Sequence, residues 1–352
     1  MTLSSLEFPF FLLLVLVLRW CSRTYAAELM VLLGASYVFY MSWSVPAVLL
    51  LIAIAVIDYH VARAVAATED FDRRTRLLRV SIISNVGMLG VFKYTNFIIE
   101  NLLGIASVFG LRAPAVHYDI ALPPGISYFT FAGIAYVVDV YYERMAPCQR
   151  ANEYLLYIAF FPKVLAGPIA RAKEFLPQLR DRVRASAHDV EVGLTYFALG
   201  AVKKVVISDQ IAPNVNVIFA TPGQFDALTL IQGVLGYTVQ IYCDFSGYSD
   251  MAIGCARLMG FRFPDNFRMP YSASSITEFW RRWHITLSSW FRDYVFLPLE
   301  ISTRGAARPA LQASVNLMIT MLLCGLWHGA SWTFVIWGGL HGAALAVERV
   351  WT

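Results

Sequence analysis

The stretch "MLLCGLWHGASWTF" (residues 321–334) places one histidine, His328, in an otherwise apolar run rich in glycine and tryptophan. A charged side chain at the centre of a bilayer costs roughly 2.5–3.5 kcal/mol, so an ionisable residue in such a run asks for a reason. The reason depends on the chain around it.

That chain has 352 residues, of which 58% are hydrophobic and only 15% charged. Soluble domains carry about 25% charged residues. The deficit is uneven: long apolar blocks alternate with short clusters of Arg, Lys, Asp and Glu, as expected for an all-α polytopic membrane protein. The formal charge of +4 includes no long basic tract, so nucleic acid is not an expected partner and membrane lipid is. Cys21, Cys148, Cys243, Cys255 and Cys324 are scattered without a C-x-x-C or Cys/His cluster. They read as free thiols, and no metal site is expected. The N-terminal "MTLSSLEFPFFLLLVLVLRW" carries Glu7 and no basic n-region, which suits a first membrane segment better than a cleaved signal.

Apolar blocks begin near residues 6, 29, 45, 80, 121, 152, 192, 228, 310 and 331, giving roughly ten transmembrane or re-entrant helices. The block at 152–168 runs into "FFPKVLAGPIAR", where two prolines and a glycine interrupt it. It reads as re-entrant or tilted, a break tolerated only against protein or a water-filled cavity. Residues 59–79, 163–184 and 257–282 are rich in Arg and Lys and are placed in the cytoplasm, whereas 104–120 has one Arg and 211–227 no basic residue. Residues 1–352 read as one membrane domain.

Three places carry chemistry. In "QIYCDFSGYSDMAIG" (240–254), Asp244, Ser246, Tyr248, Ser249 and Asp250 form a polar stripe, with Gly247 expected to loosen the helix. For these carboxylates a hydrogen-bonded packing network is favoured over a catalytic role. In "SSITEFWRRWHITLSSWFRDYVFLPL" (274–299), Trp280, Trp283 and Trp290 with Phe279 and Phe291 suggest an interfacial helix, which does not explain His284. His284 and Ser288, four apart, are expected on one helical face. In the opening stretch, His328 stands beside Trp327, with Ser331 and Trp332 following and His341 on the returning segment. An imidazole in apolar surroundings is held neutral and can act as a general base. There is no Walker A loop, G-x-S-x-G elbow or H-E-x-x-H. Removal of a proton from an alcohol during acyl transfer suits what is left.

Five segments resemble the membrane-bound O-acyltransferase family: "LPPGISYFTFAGIAYVVDVYYE" (122–143), "FFPKVLAGPIARAKEFLPQL" (160–179), "YCDFSGYSDMAIGCARLMGFRFPDNFRMPY" (242–271), "ITEFWRRWHITLSSWFRDYVFLPL" (276–299) and "LLCGLWHGASWTFVIWGGLHG" (322–342). They are most similar to its bacterial branch, which O-acetylates exported polysaccharides such as alginate. The resemblance implies a ring of helices around a central tunnel in the bacterial inner membrane. The acyl donor would be a cytoplasmic thioester, acetyl-CoA or an acyl carrier, and the acceptor a hydroxyl on the outer side. No tightly bound cofactor is implied; a periplasmic acetyltransferase partner is. The family's invariant histidine falls on His328, the candidate base. Its second position, His or Asn, falls on His284, which would position the acyl group or stabilise the oxyanion. Asp244, Ser246, Tyr248, Asp250, Trp327, Ser331 and Trp332 are candidates for lining the substrate path. Relatives of this kind continue beyond the "LHGAALAVER" segment, so the domain reads as short at its C-terminus, and "EISTRGAARP" stands where they carry a Gly-rich turn. Two alternatives stay open: D-alanyl transfer to teichoic acid on the same fold, and a non-catalytic subunit that passes an acyl carrier through the membrane.

Overall fold

A computed structural model describes residues 1–111, 114, 116–305 and 307–351, with Val350 as backbone only. Arg112, the lone basic residue of 104–120, lies outside the described residues. All regular structure among the described residues is helical. Among the described residues, three helices are long and apolar enough to cross a membrane: Val45–Ala66, Phe71–Val108 and Pro309–His328. Phe8–Cys21, Tyr25–Met41 and Ile126–Tyr141 are shorter apolar helices. Asp70 ends the short turn before Phe71, its carboxylate accepting from the backbone N–H groups of Asp72 and Arg73. The basic cluster Arg73–Arg79 therefore lies on the first turns of a helix rather than in a loop.

The chain forms two compact units, one of residues 1–48 and 152–266, the other of 49–151 and 267–352. In the first, Phe8, Phe39, Phe160, Phe161, Phe175 and Phe261 are buried together, with the Phe160 and Phe175 rings 5.0 Å apart. The expected break after residue 152 is present: the helix ends at Ala159 and residues 160–171 are irregular and mostly buried. Their backbone groups find side-chain partners, as burial demands. Ser36 Oγ accepts from the Phe161 N–H at 3.2 Å, and the Tyr157 hydroxyl donates to the Ala170 carbonyl at 3.1 Å.

Gly247 does not loosen its helix, which runs unbroken over Ala227–Leu258. It lets a neighbour in. A Cβ at Gly200 would sit 2.5 Å from the Gly247 carbonyl oxygen, and one at Gly254 would sit 2.6 Å from that of Gly193. Two glycines seven residues apart on each helix thus meet in antiparallel register, the close packing small residues permit.

In the second unit, Gly325 and Gly338 bring Pro309–His328 against Trp332–Trp351: a Cβ on Gly325 would lie 3.1 Å from the Gly338 Cα. Asp58, fully buried on Val45–Ala66, accepts from Ser81 Oγ at 2.5 Å and Asn85 Nδ2 at 2.9 Å, both on Phe71–Val108. Gly133 on Ile126–Tyr141 leaves room for that carboxyl, since a Cβ there would overlap it. This intramembrane network was not anticipated from the sequence.

The stretch 276–299 departs from expectation. It is not one interfacial helix but two seven-residue helices, Ile276–Arg282 and Ile285–Phe291, followed by a π turn and Leu297–Ser302. Trp280, Trp283, Trp290 and Phe291 are buried rather than arrayed at an interface. Trp290 stacks on Phe131 at 3.9 Å and donates its indole N–H to the Phe131 carbonyl. These aromatics form core, because each break in the helix turns the next ring inward.

Candidate functional site

His284 stands at the joint of the two short helices. Its backbone is left-handed, φ 42° and ψ 55°, a conformation that histidine and asparagine visit more readily than most residues. His284 caps the helix that carries Ser288: the Ser288 N–H donates to the His284 carbonyl at 3.0 Å, while the left-handed His284 backbone is not helical and the Ser288 hydroxyl donates to the Trp283 carbonyl at 3.1 Å. What the joint achieves is burial. The His284 side chain is fully enclosed, its ring 6.0 Å from Trp327, 6.3 Å from Phe267 and 6.5 Å from Tyr128. Neither flanking helix is long enough to span a bilayer. Burial, then the neighbouring His328, hold this imidazole well below its ordinary pKa, and it is neutral near pH 7.

His328 is the last residue of Pro309–His328, where Gly329 turns extended and ends the helix. Its ring lies 4.8 Å from Trp327, 4.9 Å from Trp337 and 6.3 Å from Phe334. Its Nε2 is buried and has no hydrogen-bond partner among the described residues; the same holds for the indole nitrogens of Trp327 and Trp280. Buried polar atoms are normally satisfied, so these three stand out. His341 adjoins from the returning helix, 4.7 Å from Trp337 and 5.2 Å from Trp280.

Beside this cluster is a cavity of about 380 Å³, lined mainly by apolar groups and including Trp280, Arg281, Ser288, Arg292, Met321 and Cys324. Cys324 is one helical turn before His328. Glu278, next to Thr277 in the chain, accepts from the Ser274 N–H and hydroxyl at 2.7 Å each and pairs with Arg282; those bonds, Ser274's first, hold its carboxyl at about 2.

The remaining sequence candidates separate from this cluster. Trp332 is largely exposed and donates its indole N–H to Asn101 Oδ1 at 2.8 Å. Ser331 engages the Thr333 hydroxyl at 2.9 Å and starts the next helix. Asp244 and Asp250 belong to the other compact unit, where Lys204 and Lys203 approach them at 2.5 and 2.6 Å. Both lysines lie in the π turn Val202–Ser208, so the stripe is an ion-paired helix contact. Ser246 is buried in that helix; Tyr248 stands beside it on the same element.

Two residues near His328 were missed. Lys93 donates to the Trp327 carbonyl, and the Tyr94 hydroxyl donates to the Leu326 carbonyl at 2.7 Å. The sequence held one signal: Lys93 is the sole charged residue in 80–99.

Membrane-length apolar helices, and two histidines that adjoin one tryptophan, fit a membrane-embedded protein. The membrane-bound O-acyltransferase family profile matches residues 117–352, and the chain belongs to that family. It is 43% identical over 353 residues to the probable alginate O-acetylase AlgI of Azotobacter vinelandii, covering 99% of this chain and 69% of that protein. It is also 43% identical over 323 residues to the probable alginate O-acetylase AlgI of Pseudomonas aeruginosa, covering 91% and 60%. A peptidoglycan O-acetyltransferase of Helicobacter pylori is 36% identical over 344 residues, covering 90% and 64%. The chain thus spans about 60–69% of the length of these relatives.

Proposed function

We propose that this chain is a multi-pass inner-membrane O-acyltransferase that moves an acetyl group from a cytoplasmic thioester to a hydroxyl on the outer side. The end product is O-acetylation of an exported polysaccharide such as alginate, with a periplasmic acetyltransferase partner. The carrying observation is His328 Nε2, buried and without a hydrogen-bond partner among the described residues, at a tryptophan it shares with His284. The likeness to two alginate O-acetylases supports acetyl as cargo.

In this reading the His328 Nε2 lone pair takes the proton of the acceptor hydroxyl as its oxygen attacks the thioester carbonyl carbon. The carbon–sulfur bond of the resulting tetrahedral oxyanion then breaks, and the leaving thiolate recovers the proton from the imidazolium. His284 supplies an N–H to the acyl oxygen, where stabilisation of developing charge counts most. The apolar cavity, lined by Cys324 one turn before His328, suits the donor arm, and Arg281 and Arg292 in its lining offer positive charge to a polar donor. The aromatic walls keep water from the thioester. The wider arrangement, a ring of about ten helices around a tunnel, belongs to this proposal.

Replacing His328 by Ala in the full-length protein should lower ester acetate on the exported polymer by about 10²–10⁴-fold, the usual worth of a general base, at unchanged protein level. Undiminished acetylation would sink the proposal. D-alanyl transfer uses the same site and would appear instead as ester-linked alanine on the cell wall. A non-catalytic acyl-passing subunit would tolerate the His328 change.

A further inference from the structure

We propose that Lys93 is a positioning residue for His328 and His284, acting through Trp327. The proposal rests on the reading of His328 as the base. The last carbonyls of an α-helix have no partner within the helix. At the end of Pro309–His328, the Gly325 carbonyl accepts from the Gly329 N–H at 3.3 Å, while the Leu326 and Trp327 carbonyls accept from Tyr94 and Lys93. The same helix continues the grip beyond the break. Phe97 packs on Trp332 at 5.9 Å, and Asn101 accepts from its indole. Tyr94, Phe97 and Asn101 are three and four residues apart, hence on one face, and together they hold both sides of the turn that carries His328.

The charge on Lys93 is the informative part. A neutral donor is enough for a helix-end carbonyl, as Tyr94 demonstrates one residue away. Among the described residues no carboxylate pairs with Lys93, although it lies within a membrane-length apolar helix. Its ammonium instead lies 5.6 Å from the Trp327 ring centroid, within cation–π range. Lys93 therefore holds Trp327 at two points, the carbonyl and the ring, and that ring is the one both histidines adjoin. It does so from a π turn, Gly90–Tyr94, a local widening of the helix that recurs at functional sites. An ordinary helix cap would need neither the charge nor the aromatic face.

The test uses the full-length protein in its own membranes, with Lys93→Met, Lys93→Arg and Lys93→Gln compared with wild type and His328→Ala. Two readouts are taken per mole of folded protein: ester acetate on the exported polymer, and carbethoxylation of His328 by diethyl pyrocarbonate, followed by mass spectrometry. Lys93→Met should lower acetylation by about tenfold or more, because small misplacements of catalytic groups cost rates of that order. His328 carbethoxylation should rise at least about threefold as the Trp327 ring, no longer held by the cation, moves more freely beside the imidazole. Lys93→Arg should restore both to near wild type. If Lys93→Met accumulates poorly, Lys93→Gln, which keeps a neutral donor, should show the same two changes. Unchanged carbethoxylation in both neutral variants overturns the proposal, as does wild-type acetylation in them, or failure of Arg to rescue. Acetylation surviving in His328→Ala would instead overturn the catalytic reading, leaving the carbethoxylation readout to judge Lys93 alone.

Discussion

The rings of His328 and Trp327 are neighbours in sequence and in space, 4.8 Å apart, and the indole carries His284 at 6.0 Å. One aromatic side chain therefore sets the placement of two residues 44 positions apart in the chain. It is itself held by Phe131, stacked at 5.4 Å.

Trp327→Leu should keep the apolar volume largely filled but remove the shared wall. Acetylation should fall by about tenfold or more, since a shift of about 1 Å in a catalytic group is enough for that. Ester acetate per mole of membrane-extracted protein measures it, and a wild-type value would show that the indole is not the organiser.

His284 has a backbone requirement separate from its imidazole. Asn tolerates the left-handed region and a β-branched residue does not. His284→Asn should therefore keep the thermal midpoint within a few degrees, while His284→Val should lose about 1–3 kcal/mol through strain. Equal midpoints in detergent would refute the left-handed joint. The same geometry gives a reason for the His-or-Asn choice that the family resemblance implies at this position.

Gly200→Leu tests the glycine contact in the other unit. With the Gly247 carbonyl oxygen 2.5 Å from where a Cβ would sit, there is no room for a side chain. About 1–3 kcal/mol of destabilisation is expected from overpacking, read as a lowered unfolding midpoint. The exposed Gly223, with nothing near its Cβ position, is the control.

Asp250→Asn removes the partner of Lys203 and should cost about 1–3 kcal/mol, between the values for exposed and buried pairs. Acetylation per folded molecule should be unchanged, as a packing role requires. A large loss of specific activity would return the carboxylate to the candidate site.

Glu278 supplies a pH dependence. Its folded pKa is depressed to about 2 by Ser274 and Arg282, so its stabilising contribution is present above the ordinary carboxylate range near pH 4. That contribution is lost as pH falls through about 2. The thermal midpoints of wild type and Glu278→Gln should differ at pH 6 and converge toward pH 2. A constant gap would show that the carboxylate is not what Ser274 recognises.

Much of this protein was legible in one dimension. Apolar length is a local property, so the helices at Val45–Ala66 and Pro309–His328 and the break after Ala159 could be read from residue types alone. The two histidines stood out because an ionisable group in an apolar run is rare. Tertiary structure decided what those residues do to each other. Whether Gly247 bends a helix or admits Gly200 depends on a neighbour 47 residues away. Whether Asp250 is free or paired depends on Lys203, and the left-handed joint that makes His284 the cap of the helix carrying Ser288 is announced by no periodicity. Lys93 and Trp327 are 234 residues apart, and only the packing of two helices puts a lone ammonium on the residue that both histidines share. Periodicity identifies which side of a helix is apolar; which partner that side meets is a property of the folded chain.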